Sequence, residues 1–155
     1  MTERYEETAA QLAALLDPEW PLVSNLSNAA ALLWEWLERI NWAGFYLARG
    51  ETLWLGPFQG KPACVRIGPG KGVCGAALRQ GEVLRVEDVH AFPGHIACDG
   101  ASRSEIVLPV RHGGRIIGVL DIDSPERGRF SEEDEEGLQE IVRVLEKVIG
   151  KDELL

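Results

Sequence analysis

The chain is poor in cysteine and histidine. Its three cysteines, Cys64, Cys74 and Cys98, form no CxxC pair, and none of the three histidines has the spacing to them that a structural zinc site needs. An odd cysteine number in a chain without a secretory signal argues against an extracellular disulfide framework. We therefore expect neither a zinc site nor a stable disulfide, and all three cysteines should be free thiols at rest.

Basic residues are also scarce. Sixteen lysines and arginines stand against twenty-five acidic residues, which gives a net charge of −9. A field of this sign repels nucleic acid and anionic lipid, so we expect no nucleic-acid or membrane partner. Residues 1–16 carry acidic groups where a signal peptide needs positive charge, and no apolar run approaches the ~20 residues of a membrane span. The expected location is the cytoplasm.

Length and composition predict one α+β domain over residues 1–155. Hydrophobic residues make up 45% and charged residues 26% of the chain, which is typical of a globular domain. We predict two N-terminal helices within residues 3–40, a sheet with its loops over 41–124 and a C-terminal helix over 131–149. Ser131 and Asp134 come close to a capping box for that last helix. The expected architecture is an antiparallel sheet with helices over one face.

The middle of the chain alternates between strands and glycine-rich turns. Strands are predicted at 42–47, 52–55, 64–67, 83–86, 106–110 and 116–122, with Gly113-Gly114 as the last hairpin turn. A short helix over 73–80 would hold Cys74 in its first turn and end at Gly81. Residues 87–102 have almost no periodicity and should form a long ordered loop. Loops of that length in a compact domain tend to be functional.

Cys98 lies on this loop, three residues after His95, which could stabilise a reactive thiolate. A buried loop cysteine that only fills space is the commoner outcome. Cys64 and Cys74 would approach Cys98 only if the loop folds back over the sheet. In that arrangement one thiolate could attack, become a sulfenic acid and be resolved as a disulfide by a second thiol. The alternative is that both are core cysteines.

Three acids at strand ends are a further candidate site. Asp121 and Asp123 are two apart on one strand, so both should point to the same face, and Glu105 stands at the start of the neighbouring strand. Paired acids could bind an ammonium group, and one kept protonated could donate a proton. A solvated polar edge is the alternative. Trp42 and Tyr46 could present an aromatic wall to a small ligand or simply fill core.

Several of these segments together resemble the free methionine-(R)-sulfoxide reductases, a family with the GAF fold. The resemblance covers about residues 41–148, and the three cysteine-bearing segments at this spacing are its most specific part. The matching segments are NWAGFY at 41–46, GPFQGKPAC at 56–64, GKGVCG at 70–75, DVHAFPGHIACD at 88–99, SEIV at 104–107 and GVLDIDS at 118–124.

The resemblance implies roles for the cysteines in a thioredoxin-dependent L-methionine (R)-S-oxide reductase. Cys98 matches the nucleophile, Cys64 the principal resolving cysteine and Cys74 a third thiol that assists recycling. The Cys98 thiolate would attack the sulfoxide sulfur, and Cys64 would then close a disulfide with the resulting sulfenic acid. A thioredoxin-like protein would reduce that disulfide.

The resemblance also implies the substrate site. The matching residues comprise an acidic group, which would protonate the departing oxygen and bind the α-ammonium group, and an aromatic wall around the substrate methyl; they are Glu105, Asp121, Asp123, Trp42 and Tyr46. A residue inside a peptide lacks the ammonium charge, so only the free amino acid should react. The family implies no metal or organic cofactor, and it implies a possible homodimer formed through the terminal helices.

Two interpretations without this reaction remain open. The chain could be a ligand-sensing GAF module that binds a small molecule without chemistry. It could also be a thiol redox sensor, which would use the same cysteines but need no substrate pocket.

Overall fold

The computed structural model describes residues 2–94 and 100–150. Its helices are α1 (Glu3–Leu15), α2 (Leu22–Trp36), α3 (Gly72–Gln80) and α4 (Glu132–Glu146), with a 3₁₀ turn at Val89–Ala91. Its strands are β1 (Trp42–Arg49), β2 (Thr52–Gly60), β3 (Arg66–Ile67), β4 (Leu84–Val86), β5 (Ser104–His112) and β6 (Arg115–Ser124). Among these residues, no helix combines the length and the apolar character that crossing a membrane requires.

The six strands form one antiparallel sheet in the order β3-β2-β1-β6-β5-β4. The β1–β2 and β5–β6 pairs are hairpins, as the alternation of the sequence predicts. Gly113 and Gly114 both have positive φ, 61° and 81°, in the β5–β6 turn. That backbone conformation costs glycine little, which explains why the pair stands at this turn. The predicted α+β class with an antiparallel sheet is confirmed.

Helices cover both faces of the sheet rather than one. Helices α1, α2 and α4 pack on the larger core, where Phe45, Leu108 and Leu120 are almost fully buried. Helix α3 packs on the opposite face. The expectation of a one-sided sheet was wrong because the central strands are apolar on both faces: Val107 and Val119, which alternate with the first set, are also fully buried.

The helical segments predicted near the two ends of the chain, within 3–40 and over 131–149, extend beyond the observed helices. Helix α2 ends at Trp36, and Leu37 has extended backbone with φ −79° and ψ 129°. The Leu37 side chain is still buried in the core, so the apolar spacing that predicted the helix continues beyond the end of the helix. Helix α4 begins with the predicted capping box, in which Ser131 and Asp134 each bind the other's backbone amide.

Cys64 is not on a strand. The structure confines β3 to Arg66–Ile67, so the predicted strand over 64–67 is wrong in its first half. Cys64 lies in the connection between β2 and β3, whose residues 61–65 belong to no helix or strand.

Candidate functional site

The strand register places the three acids beside one another. In the β5–β6 pair, Glu105 is directly opposite Asp123, and Asp121 is two residues further along β6 on the same face. The β1–β6 pair puts Trp42 on the other side of Asp123. Cross-strand neighbours of this kind lie about 5 Å apart at Cβ, so the acids form one cluster. The predicted common face of Asp121 and Asp123 is therefore present.

Two of these acids are buried together with a thiol. Glu105 and Asp121 are 8% and 5% exposed, and Cys74 in the first turn of α3 is 4% exposed. The donor atoms of the three side chains lie within 4.8 Å of one another, with Cys74 Sγ 3.8 Å from Glu105 Oε2. Such a set can bind either a divalent cation or a primary ammonium group, which carries three hydrogen-bond donors.

The surroundings favour the protonated form of each group. Burial, and next the charge of Asp121, raise the pKa of Glu105 well above its ordinary value. Burial and the charge of Asp123 raise the pKa of Asp121 in the same way. Burial followed by the charges of Asp121 and Glu105 raises the pKa of the Cys74 thiol. Cys74 is thus held as a thiol, whereas a reactive nucleophile needs the thiolate.

Asp121 has hydrogen-bonding capacity to spare. Its Oδ1 atom is buried and has no hydrogen-bond partner among the residues that the structure describes. A buried acceptor without a partner costs free energy, about 1–3 kcal/mol for a neutral group and more for a charged one. Asp121 Oδ1 can therefore still accept a hydrogen bond from a donor that is not among these residues, such as a ligand.

An aromatic platform stands beside the acids. Trp42 and Tyr46 lie on β1, four residues apart and on one face, with their ring centroids 5.8 Å apart and an interplanar angle of 24°. Phe58 also stacks on Trp42, with the two ring centroids 5.2 Å apart. Both β1 rings are buried and belong to the smaller core, so they fill space and also present a wall to the neighbouring cavity.

A cavity of about 70 Å³ connects these groups. It is lined by the aromatic rings, by the acids and Cys74, and by residues of the β2–β3 connection. The described lining residues are Trp42, Tyr46, Lys61, Pro62, Ala63, Ile67, Lys71, Gly72, Val73, Cys74, Ser102, Glu105, Asp121 and Asp123. All three predicted acids and both predicted aromatic residues line this one cavity.

The cysteines differ in state. Cys64 is disulfide-bonded, which corrects the expectation that all three are thiols at rest, and Cys74 is a free, buried thiol. Cys98 and His95 lie outside the described residues. The chain on both sides of them reaches the site: the Gly94 carbonyl accepts a hydrogen bond from the Gly72 amide at 3.0 Å, and Ser102 lines the cavity.

Sequence reasoning missed two cationic residues at the cavity. Lys61 and Lys71 both line it. Their proximity to Cys64 and Cys74 in a strongly acidic chain is a signal that could have found them. These two basic residues line the same cavity as the three acids.

Comparisons with known proteins agree with this geometry. The GAF domain family model matches residues 1–149. The chain is 57% identical over 149 residues to the free methionine-R-sulfoxide reductase of Escherichia coli (strain K12), which covers 96% of this chain and 90% of that protein.

Solved structures of free methionine-R-sulfoxide reductases have the same fold as this chain. The reduced form of fRMsr from Staphylococcus aureus superposes with a TM-score of 0.90 at 50% identity and 94% coverage of both chains. The free methionine-R-sulfoxide reductase of Neisseria meningitidis in complex with its substrate has a TM-score of 0.88 at 46% identity, covering 93% of this chain and 87% of that one. The chain belongs to the free methionine-R-sulfoxide reductase family of GAF-domain proteins.

Proposed function

We propose that the protein is an oxidoreductase that reduces free L-methionine (R)-sulfoxide to methionine. The observation that carries the proposal is the buried acidic cluster at a small cavity lined by Trp42 and Tyr46, in which Asp121 Oδ1 has no hydrogen-bond partner within residues 2–94 and 100–150. The cavity matches the two ends of the substrate, an ammonium group and an apolar methyl group. Relatives carrying this activity in their names cover most of the chain.

The acids select the free amino acid. Glu105, Asp121 and Asp123 receive the α-ammonium group, which donates to the open Asp121 oxygen, and charge-assisted hydrogen bonds of this kind are the strong ones. Lys61 and Lys71 supply positive charge for the α-carboxylate. A methionine sulfoxide inside a peptide carries neither charge and would leave the buried acids unpaired, which is a strong basis for rejection.

Cys98 is the proposed nucleophile. Its thiolate attacks the sulfoxide sulfur, and the transient bond between the two sulfurs breaks again as the oxygen moves, with one proton, from the substrate sulfur to the Cys98 sulfur. The products are the Cys98 sulfenic acid and methionine. The protons that this transfer needs come from the acidic cluster, where burial keeps a carboxyl protonated to higher pH than in water. The attachment of residues 94 and 102 to the site supports a position of Cys98 at the cavity.

Cys64 is the proposed resolving cysteine. Its thiol attacks the Cys98 sulfenic acid, giving a Cys64–Cys98 disulfide and water. The disulfide-bonded state of Cys64 supports a redox role for this cysteine. A thioredoxin-type protein then reduces the disulfide. Cys74, with its raised thiol pKa, is suited to a slower auxiliary exchange in recycling.

The protein forms a homodimer through its terminal helices in this proposal. The cytoplasmic location inferred from the sequence stays a prediction, as does the division of the chain into one domain over 1–155.

The test is a single turnover with pre-reduced protein. Free methionine-R-sulfoxide, free methionine-S-sulfoxide and a peptidyl sulfoxide are each mixed with the protein, and methionine and free thiols are counted before and after. We expect methionine from the free R form alone, with two thiols lost per methionine. No methionine from any of the three would reject the reductase and favour a ligand-sensing module.

Two variants test the cysteine roles. Cys98→Ser should abolish the first turnover, since the nucleophile is gone. Cys64→Ser should release one methionine per protein and then stall as a sulfenic acid. Full activity of Cys98→Ser would show that another group attacks the sulfoxide. Disulfide cycling under oxidant without any sulfoxide turnover would instead support a thiol redox sensor.

A further inference from the structure

The connection between β2 and β3 carries the proposed resolving cysteine without support from regular structure. This Cys64 segment, residues 61–65, belongs to no helix or strand. Val65 is 61% exposed, so packing holds its end of the segment poorly. Besides the disulfide of Cys64 and the packing of Ala63 on the smaller core, a few hydrogen bonds to the neighbouring sheet hold the segment.

Backbone carbonyls of the segment accept these bonds at both ends. Trp42 Nε1 donates to the Lys61 carbonyl at 3.1 Å. The Leu55 amide donates to the Val65 carbonyl at 2.8 Å and continues the ladder toward β3. Between these two contacts, the Tyr46 hydroxyl donates to the carbonyl of Cys64 itself at 2.9 Å.

The Tyr46 side chain is well suited to hold the Cys64 carbonyl in one position. It stands on β1, which is hydrogen-bonded on both edges by β2 and β6. Its ring is 3% exposed and stacks on Trp42. Burial raises the pKa of the Tyr46 hydroxyl well above its ordinary value, so the group stays protonated and can donate. A buried ring with two side-chain torsions leaves its hydroxyl little freedom.

We propose that Tyr46 is a positioning residue for Cys64, holding the Cys64 carbonyl so that this cysteine can close its disulfide with the spent nucleophile. The inference rests on the proposed thiol cycle, in which Cys64 resolves the Cys98 sulfenic acid. The Tyr46 side chain would then have two separate roles. The ring belongs to the wall of the substrate cavity, whereas the hydroxyl, already engaged by Cys64, serves the second chemical step.

Tyr46→Phe divides these roles because it removes the hydroxyl and keeps the ring. Because Tyr46 also lines the substrate cavity, methionine release is measured in the same samples, and disulfide formation should slow more than methionine release does. Disulfide formation should slow by about fivefold, the factor that corresponds to one typical net hydrogen bond. The sulfenic acid should persist longer and be trapped in larger yield by a 1,3-diketone reagent. Thiols are quenched with an alkylating agent and counted by mass spectrometry.

The other tyrosine of the chain provides a matched control. Tyr5 is also buried, and its hydroxyl donates one hydrogen bond, to Asp134 Oδ1 at 2.7 Å, on the far side of the sheet from the cavity. Tyr5→Phe should lower stability without changing the ratio of the two rates. If Tyr46→Phe folds poorly, 4-aminophenylalanine at position 46 restores a donor on the same ring and should restore fast disulfide formation.

A second oxidant makes the test independent of the sulfoxide reaction. Hydrogen peroxide converts a cysteine thiolate to sulfenic acid and water, after which closure by Cys64 follows as before. Tyr46→Phe should slow closure after peroxide by the same factor. If the wild type forms the disulfide after peroxide but releases no methionine from the sulfoxide, the reductase proposal fails while the role of Tyr46 is still decided by this arm.

Two results would overturn the inference. One is equal closure rates in the wild type and Tyr46→Phe, with both oxidants. The other is an equal loss of methionine release and disulfide formation with a raised KM, which would mean that Tyr46 acts through the substrate cavity alone.

Discussion

Glu105 and Asp121 lower the stability of the protein when no substrate is bound. Their pKa values are raised in the fold, chiefly by burial, so the folded state holds protons that the unfolded chain has released. When the native state binds more protons, the free energy of unfolding falls as pH rises from the unfolded pKa toward the folded one. The acids that would bind substrate thus make the substrate-free protein less stable toward neutral pH.

Glu105→Gln should make stability less dependent on pH. The amide does not titrate, so urea unfolding at pH 5 and at pH 8 should differ less in free energy than in the wild type. The variant should also lose a charged hydrogen bond to the ammonium group, which raises KM roughly ten- to a hundredfold. Glu82→Gln, an exposed carboxylate before β4, is the control and should keep the wild-type profile. An unchanged pH slope in Glu105→Gln would contradict the burial argument.

At the scale of elements, the contact between α1 and α4 depends on a glycine. The Tyr5 ring of α1 packs directly onto Gly137 of α4, where a Cβ atom would collide with several ring carbons. The Tyr5 hydroxyl binds Asp134, which also caps α4 through Ser131 and pairs with Arg129 at 3.0 Å. A glycine inside α4 is tolerated because it allows the Tyr5 ring to pack closely, and this contact stabilises the packing of α1 on α4.

Gly137→Ala should destabilise the protein although alanine is the better helix former. The substitution gains about 1 kcal/mol of helix propensity. Overpacking against a ring that is only 4% exposed costs about 1–3 kcal/mol. Denaturant unfolding should show a net loss of roughly 1 kcal/mol. In a double-mutant cycle, Tyr5→Leu should cost less in the Gly137→Ala background. Additive losses would exclude the collision as the cause.

At the scale of the molecule, α2 provides an outer face without charge. Val23 and Trp34 are 60% and 38% exposed, and their spacing of eleven residues, about three helical turns, puts them on one face. Glu35 is the one charged residue within α2, whereas the whole chain has a net charge of −9. Two copies repel over most of their surface, so a neutral apolar face is where they can meet.

Val23→Glu should therefore disrupt a homodimer. Placing a charge at the centre of a two-fold apolar interface also places it opposite or near its own copy. Sedimentation equilibrium should show a dimer for the wild type and at least a tenfold weaker association for the variant. Trp54→Glu changes an equally exposed tryptophan on β2 and should leave the dimer intact. A monomeric wild type, or dissociation by Trp54→Glu alone, would remove α2 from the interface.

Much of the architecture could be predicted from local signals in the sequence. Alternation and the Gly113-Gly114 turn located the hairpin of β5 and β6, and Ser131 with Asp134 located the start of α4. These signals work because turn conformation and helix capping depend on residues a few positions apart. The spacing of the three cysteine segments was sufficient to recognise the family. The residues that would form the cavity were chosen from the same segments.

Features that depend on contacts between residues far apart in the chain could not be predicted from these local signals. The end of α2 before Leu37, the place of α3 on the second face and the position of Cys64 ahead of β3 follow from packing across the sheet, which overrides local propensity. The raised pKa values of Glu105 and Asp121 require burial and neighbours from different strands. The amino-acid sequence sets which chemical groups the protein carries. Which of these groups meet, and in which protonation state, depends on strand register and burial, because both are properties of the folded chain as a whole.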